Sequence, residues 1–120
     1  MQYLMSGGLP GTGAAGIPEI ITIDNASSSA LNIRFYQYSD FDVSAGTDVP
    51  TIGTIGGKAF VATQTGGGQT LSETVVGPGA DRWEAALWDS TLTNLDNALA
   101  FYQLNDVVSA GPGDVTWAFQ

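Results

Sequence analysis

Apolar and polar residues alternate along several short runs of this sequence, and turn-forming residues separate the runs. In Ala30–Tyr38, Leu31, Ile33 and Phe35 fall on one face, and a second clear run, Asp114–Phe119, follows a Gly-Pro-Gly turn. Successive side chains of a β-strand point to opposite faces, so this period of two predicts strands with one buried face. Short strands separated by frequent turns predict an all-β fold, a single antiparallel β-sandwich of jelly-roll or immunoglobulin-like type with about seven strands.

The remaining predicted strands are also bounded by turn residues. They are Ile17–Asp24, Lys58–Thr65, Gln69–Val76 and Asp81–Trp88. Pro18 favours an edge position for the first of them, and Gly66-Gly67-Gly68 predicts a hairpin between two of the others. Residues 91–102 fit either one short helix or a long loop, because leucines recur there at helical spacing around a turn-like Asp96-Asn97 pair.

The first sixteen residues differ from the remainder in composition. Ser6–Gly16 reads SGGLPGTGAAG, and so many glycines disfavour a helix or a central strand. We therefore expect a flexible Gly-rich arm at 1–16 and the β-sandwich domain at 17–120. Met1–Met5 has no basic flank and is too short for a signal peptide or a membrane span, so we expect an export signal to have been removed or the chain to be a fragment.

Charge and missing residue types exclude several function classes. Three Lys and Arg residues against twelve Asp and Glu give a net charge of -9, which argues against nucleic-acid binding and against attraction to anionic membranes. With no Cys and no His, the chain cannot form zinc fingers, disulfides, thiol nucleophiles or Ser-His-Asp triads. Only 12% of the residues are charged, a composition typical of extracellular β proteins.

Three aspartates provide the best metal candidate in the sequence. Asp40 and Asp42, with Asp48 a few residues later, could converge on one calcium ion from an extended loop. The alternative is that these acids cap backbone N–H groups of their own turns. Calcium is the one cofactor that the sequence leaves open.

Aromatic and acidic side chains raise two further possibilities. Tyr36, Tyr38 and Trp88 could stack on the sugar rings of a polysaccharide. Glu73 and Glu84 could in principle serve as the acid and base of a glycoside hydrolase, which needs two carboxylates facing across one cleft. Nearly any chain of this length offers such a carboxylate pair, so we predict that the protein is not an enzyme.

Three segments carry a resemblance to a known family. Leu31–Asp42 (LNIRFYQYSDFD), the Ala62–Thr65 strand and, above all, Gly113–Gln120 (GDVTWAFQ) resemble the β domain of exported bacterial proteins that carry a PEP-CTERM sorting signal and are processed by an exosortase. The resemblance covers roughly the last ninety residues and implies a bacterial surface or matrix protein. This sequence lacks the C-terminal sorting tail and the strand before it, so we expect a groove lined by unpaired backbone groups.

These observations favour a non-enzymatic structural subunit of an extracellular surface or matrix assembly. We expect self-association, in which the first strand of one copy is added to the sheet of the next and generates a filament. The alternatives are a carbohydrate-binding module and a calcium-dependent adhesion module. No nucleic-acid partner and no membrane insertion are expected, and the expected location is the cell surface or extracellular matrix of a bacterium.

Overall fold

The computed structural model describes residues 1–96 and 102–120, which contain ten β-strands and one α-helix. The chain divides into two compact units, Met1–Ile33 and Arg34–Gln120. This division lies further along the chain than the boundary after residue 16 that the sequence predicts. Within residues 1–96 and 102–120, no helix is both long and apolar enough to cross a membrane.

The N-terminal unit holds only four strands of two residues each. They are β1 (Gln2–Tyr3), β2 (Ser6–Gly7), β3 (Ala15–Gly16) and β4 (Glu19–Ile20). β1 pairs with β4 and β2 pairs with β3, both antiparallel. Of the predicted strand Ile17–Asp24, only the two residues of β4 form strand pairs, and the Pro18 carbonyl accepts the Leu4 N–H (3.1 Å).

The second unit contains the six longer strands and the helix. They are β5 (Gln37–Asp40), β6 (Val49–Ile55), β7 (Lys58–Gly66), β8 (Gln69–Thr74), β9 (Trp83–Leu87), α1 (Trp88–Asp96) and β10 (Val115–Phe119). They form two antiparallel three-stranded sheets, in the orders β6-β7-β8 and β5-β10-β9. The all-β, sandwich-like fold is confirmed, with about ten strands rather than seven.

The core of this unit lies between the two sheets. Ile52 and Ala62 come from the first sheet, and Ala85, Trp117 and Phe119 come from the second. Trp117 is fully buried, and a large aromatic side chain contributes more apolar contact to a small core than any other residue type. The alternation of Val115, Trp117 and Phe119 in the sequence therefore does mark the core-facing side of β10.

Two glycine pairs make the hairpins of the first sheet. Gly56-Gly57 joins β6 to β7 and Gly67-Gly68 joins β7 to β8, and all four residues have positive φ. Positive φ at both central positions is the requirement of the type I′ two-residue hairpin, and glycine adopts it without steric cost. The hairpin predicted at Gly66-Gly67-Gly68 is confirmed, whereas β6 was not predicted, because Pro50 and Gly53 interrupt its pattern.

The predictions for Asp81–Trp88 and for residues 91–102 agree largely with the structure. The strand expected over Asp81–Trp88 is present as Trp83–Leu87. For 91–102, the structure has a helix that begins three residues earlier, at Trp88, and runs to Asp96. Residues 97–101 of that prediction lie outside the described residues.

Two predictions about strand position were wrong. Strand pairing in the run Ala30–Tyr38 begins only at Gln37, and Leu31, Ile33 and Phe35, expected in the core, are 59%, 58% and 43% exposed. Alternation makes a strand possible, but a strand also needs a partner to satisfy its backbone. The groove expected at the last strand is also not found there, because β10 is the middle strand of its sheet and pairs on both sides.

Candidate functional site

The two faces of the sheet β5-β10-β9 have different surroundings, because side chains alternate along β10. Trp117 is opposite Ser39 and Ala85, and these three residues face the other sheet. Ala118 is opposite Tyr38 and Glu84 and therefore belongs to the reverse face. This division decides which of the predicted site residues can act together.

Glu84 lies on the reverse face, which α1 covers. It is 1% exposed and accepts hydrogen bonds from Thr91 Oγ1 (2.5 Å) and Tyr102 Oη (2.5 Å), and from the Asn105 N–H (3.3 Å). A buried carboxylate needs such donors, because a polar group that is removed from water without hydrogen-bond partners costs free energy. Glu84 thus holds the helix and the 102–105 segment onto the sheet.

Glu73 belongs to β8 of the other sheet, and its side chain meets the opposite face of β5-β10-β9. Its Oε2 accepts hydrogen bonds from Ser39 Oγ (2.5 Å) and Trp117 Nε1 (2.8 Å), so it links the two sheets. Glu73 and Glu84 are therefore separated by the sheet and do not face a common cleft. The geometry that a glycoside hydrolase requires of this pair is not present.

The predicted sugar-stacking residues lie near one another on the helix side of the sheet. Tyr36 Oη donates to the Tyr102 carbonyl, and Tyr38 Oη donates to the Trp88 carbonyl at 3.4 Å. Both tyrosines are half-buried, while Trp88 is 45% exposed at the start of α1. Leu92, one helical turn after Trp88, is exposed as well. Of the three predicted residues, Trp88 has the ring surface most accessible to a sugar.

The predicted calcium ligands are in two different environments. Asp48 is almost fully buried, and its Oδ2 accepts the N–H groups of Val43 (2.9 Å) and Ser44 (3.1 Å) and the side-chain amide of Gln64 (2.8 Å). Burial opposes its ionisation, but these hydrogen bonds outweigh burial and hold the pKa of Asp48 below its ordinary value. Asp48 therefore caps its own loop, which is the alternative that the sequence left open.

Asp40 and Asp42 are exposed instead, at the same end of the domain as Asp114. Partial burial raises the pKa of Asp114, and repulsion from Asp40 and Asp42 raises it further. Over residues 1–96 and 102–120, no three acidic side chains gather closely enough to hold a metal ion. Calcium binding by Asp40, Asp42 and Asp48 stays a prediction.

One lateral side of the sandwich is closed by a four-residue segment, Asp106–Ser109, which we call the closing segment. At β9, the Asp106 N–H donates to the Trp83 carbonyl (2.8 Å), and the Ala85 N–H donates to the Val107 carbonyl (2.9 Å). These bonds satisfy the backbone groups of β9 that point away from β10. The closing segment is thus a short strand-like addition to that edge.

The same segment also pairs with the other sheet. The Ile52 N–H of β6 donates to the Val108 carbonyl (2.7 Å), and Ser109 Oγ donates to the Pro50 carbonyl (2.9 Å). β6 and β9 are therefore both covered on this side. Sequence reasoning missed the closing segment, because no periodicity marks a stretch that pairs with two sheets.

The opposite lateral side is formed by β5 and β8. Ser39 of β5 contacts Glu73 of β8 through their side chains, so these two edge strands are stacked at the same border of the sandwich. Within the described part of Arg34–Gln120, no backbone hydrogen bond other than those to β10 and β7 involves either strand. This border is open, and an open strand edge can pair with another chain.

The N-terminal unit, considered by itself, has strand-forming residues without a core. Ile17, Ile20 and Ile23 are 63%, 59% and 56% exposed, and Met1, Leu4, Met5 and Leu9 are exposed too. Its longest apolar run, Ile17–Asp24, is paired over two residues only. Exposed apolar residues grouped in this way are typical of surfaces that bind another protein.

Comparison with known proteins does not assign the chain to a family. No protein-family model, no curated protein and no solved structure matches it. The functional argument therefore rests on the open border, the N-terminal unit and the chemistry of the residues described above.

Proposed function

We propose that this chain is a non-enzymatic structural subunit of an extracellular bacterial assembly, in which the Ile17–Asp24 segment of one copy is added as a strand to a sheet of the next. The observation that carries this proposal is the exposure of Ile17, Ile20 and Ile23 in a segment whose composition favours a strand but whose pairing ends after two residues. The segment has the properties of a donor strand that lacks its acceptor.

Energetics favour covering this segment. Burying an exposed isoleucine side chain stabilises a protein or complex by roughly 1.5–3 kcal/mol, and each new backbone hydrogen bond adds about 0.5–1.5 kcal/mol. Association also loses translational and rotational freedom, so the contact is concentration-dependent. A donor on one unit and an acceptor on the other make a head-to-tail contact, which produces filaments unless the rotation closes a ring.

The location is part of the same proposal. The low fraction of charged residues is typical of exported β proteins, and the resemblance of Leu31–Asp42 and Gly113–Gln120 to the PEP-CTERM group supports a surface or matrix protein. The two glutamates considered as a catalytic pair both have structural partners, which supports a non-enzymatic role.

The test compares two lysine variants in the same segment. Ile23→Lys places a charge on the face that carries Ile17 and Ile21, and Thr22→Lys places the same charge on the opposite face. We expect the wild type to form fibres or rings of uniform width by negative-stain electron microscopy and Thr22→Lys to retain them. Ile23→Lys should remain monomeric by size-exclusion chromatography with light scattering. A wild type that stays monomeric up to high concentration would overturn the proposal.

A polysaccharide-binding function is the second candidate, because the Trp88 ring is exposed beside Leu92. Stacking of a sugar on an exposed indole requires the ring and little else. If the module binds sugars, Trp88→Ala should abolish retention on insoluble polysaccharides, whereas Leu92→Ala should weaken it only slightly. Retention that is the same in wild type and Trp88→Ala would remove this candidate.

A further inference from the structure

The open border offers two edge strands, and they differ in length and in available backbone groups. β5 has four residues, whereas β8 has six. In β8, Gln69 closes the hairpin opposite Gly66, and the Val75 N–H just after the strand donates to the Phe60 carbonyl at 2.9 Å. Hydrogen-bonded and non-hydrogen-bonded pairs alternate between antiparallel strands, so residues 69, 71 and 73 bond to β7.

The intervening residues of β8 point their backbone groups outward. Thr70, Ser72 and Thr74 therefore present three N–H and three C=O groups away from β7, and in the described part of Arg34–Gln120 none of these groups has another backbone partner. The side chains of these three residues are exposed. β8 is thus a regular, accessible template for one more strand.

β8 also lacks three of the features that protect edge strands against pairing. These are Lys, Pro and a bulge, each of which prevents a second chain from aligning. β6 has two of these, Pro50 and an irregularity between Gly53 and Thr54, in addition to its cover by the closing segment. The β8 sequence QTLSET has no Lys, no Pro and no shift in register. The one charged residue of β8, Glu73, points inward and is hydrogen-bonded to Ser39 and Trp117.

We infer that β8 is the acceptor edge and that its occupant is the Ile17–Asp24 segment of a second copy of this chain. This inference rests on the proposed function and goes further by naming the edge that receives the strand. With Thr22 of the donor opposite Ser72, Ile21 and Ile23 take the two flanking positions, opposite Leu71 and Glu73, and cover Leu71, which is half-buried against the core. Ser72, whose hydroxyl bonds to Thr63 at 3.1 Å, lies on the polar face, where Thr22 of the donor fits.

The charges of the two segments are compatible with this pairing. The N-terminal unit carries two acidic side chains, Glu19 and Asp24, in thirty-three residues. Glu73, the acid of β8, points into the sandwich and is engaged by Ser39 and Trp117. Its charge is therefore directed away from the edge that the incoming strand would occupy.

A proline substitution in β8 tests the inference without altering the donor segment. Ser72→Pro removes an N–H that points outward and so leaves the β7–β8 ladder intact, whereas Ser72→Ala keeps that N–H. We expect Ser72→Ala to assemble like the wild type. Ser72→Pro should lower the association constant by about tenfold or more, since one backbone hydrogen bond and the close approach of the strand are lost. Near-UV circular dichroism establishes that both variants are folded.

Disulfide trapping is the second measurement, and the absence of native cysteine makes it specific. Chains carrying Thr22→Cys alone and Ser72→Cys alone are mixed and oxidised. A mixed 22–72 dimer supports the inference. Only 22–22 and 72–72 dimers would overturn it, and so would an intramolecular 22–72 disulfide in a chain that carries both Thr22→Cys and Ser72→Cys.

The outcomes separate this inference from the proposed function. If Ile23→Lys abolishes fibres but Ser72→Pro still forms them and no 22–72 disulfide appears, the chain assembles through another edge, and the choice of β8 is wrong. If the wild type forms no assembly, both the inference and the proposed function fail. Loss of fibres in Ser72→Pro, with fibres in Ser72→Ala, supports both.

Discussion

Replacing Glu84 by leucine tests whether this carboxylate is a structural anchor. The variant leaves the hydroxyls of Thr91 and Tyr102 and the Asn105 N–H without their acceptor at a site that is 1% exposed. Each buried donor that is left without an acceptor costs about 1–3 kcal/mol, and the leucine side chain recovers part of this loss through apolar packing. We expect a loss of about 3–5 kcal/mol in the free energy of unfolding, a large part of the 5–15 kcal/mol typical of a domain.

The assay is urea unfolding followed by tryptophan fluorescence, since all three tryptophans lie in the Arg34–Gln120 unit. With an m-value of about 2 kcal/mol per molar urea, the midpoint should fall by roughly 2 M for Glu84→Leu. Glu84→Gln keeps the shape and one acceptor oxygen, so we expect it to lose only about 1–2 kcal/mol.

The relative stability losses of Glu84→Leu and Glu84→Gln decide the interpretation. A Glu84→Leu protein within about 0.5 kcal/mol of the wild type would behave like a neutral surface substitution and would refute the anchoring role. Equal losses for leucine and glutamine would mean that the negative charge, rather than the supply of acceptor oxygens, determines the stability of this site.

Four further predictions follow from single residues, each checked by unfolding as a function of pH or by comparing variants. Burial and the hydrogen bond to Glu84 raise the pKa of Tyr102 from 10.0 to about 12, so stability present below pH 10 should be lost as the pH rises towards 12, and Tyr102→Phe should reduce this loss. The pKa of Asp48 is lowered, so its contribution is present above its unfolded value of 3.8 and is lost as the pH falls through the folded value; Asp48→Asn should remove that part of the acid slope. The pKa of Asp114 is raised, so its ionised form lowers the stability of the fold at pH values above the unfolded pKa, and Asp114→Asn should increase the melting temperature at pH 7. A Cβ at residue 66 would overlap Asp48 Oδ1, so Gly66→Ala should destabilise the domain by about 1–3 kcal/mol, and an unchanged midpoint would contradict this packing.

Local signals in the sequence were sufficient for the parts of the fold that depend on neighbouring residues. The Gly67-Gly68 hairpin follows from the glycine requirement of its turn, and the core-facing side of β10 follows from alternation around Trp117. β6 escaped prediction because Pro50 and Gly53 interrupt its pattern; they are tolerated because β6 is an edge strand with a register shift at Gly53.

The candidate site depended on contacts that are distant along the chain. Asp48 is tied to Gln64, and Glu84 is tied to Tyr102 and Asn105, so nothing near these acids in the sequence indicates their hydrogen-bond donors. For the same reason, the sequence could not tell a calcium ligand from a loop cap. The pairing of β9 with β10 and the hydrogen bond from Trp117 Nε1 to Glu73 together show that Glu73 and Glu84 lie on opposite sides of the sheet β5-β10-β9.

The two predicted strands that remained largely unpaired are more informative about function than those that formed. Ile17–Asp24 and Ala30–Tyr38 have the apolar pattern of half-buried strands, yet most of their large apolar side chains are exposed. In a sequence whose other alternating runs all found partners, this conflict between local preference and pairing is expected at functional positions. The open β8 edge provides the complementary feature, a strand whose outward backbone groups have no backbone partner in the described part of Arg34–Gln120. In the assembly proposed above, both features would be satisfied at once, because head-to-tail association would place the donor segment of one copy on the acceptor edge of the next.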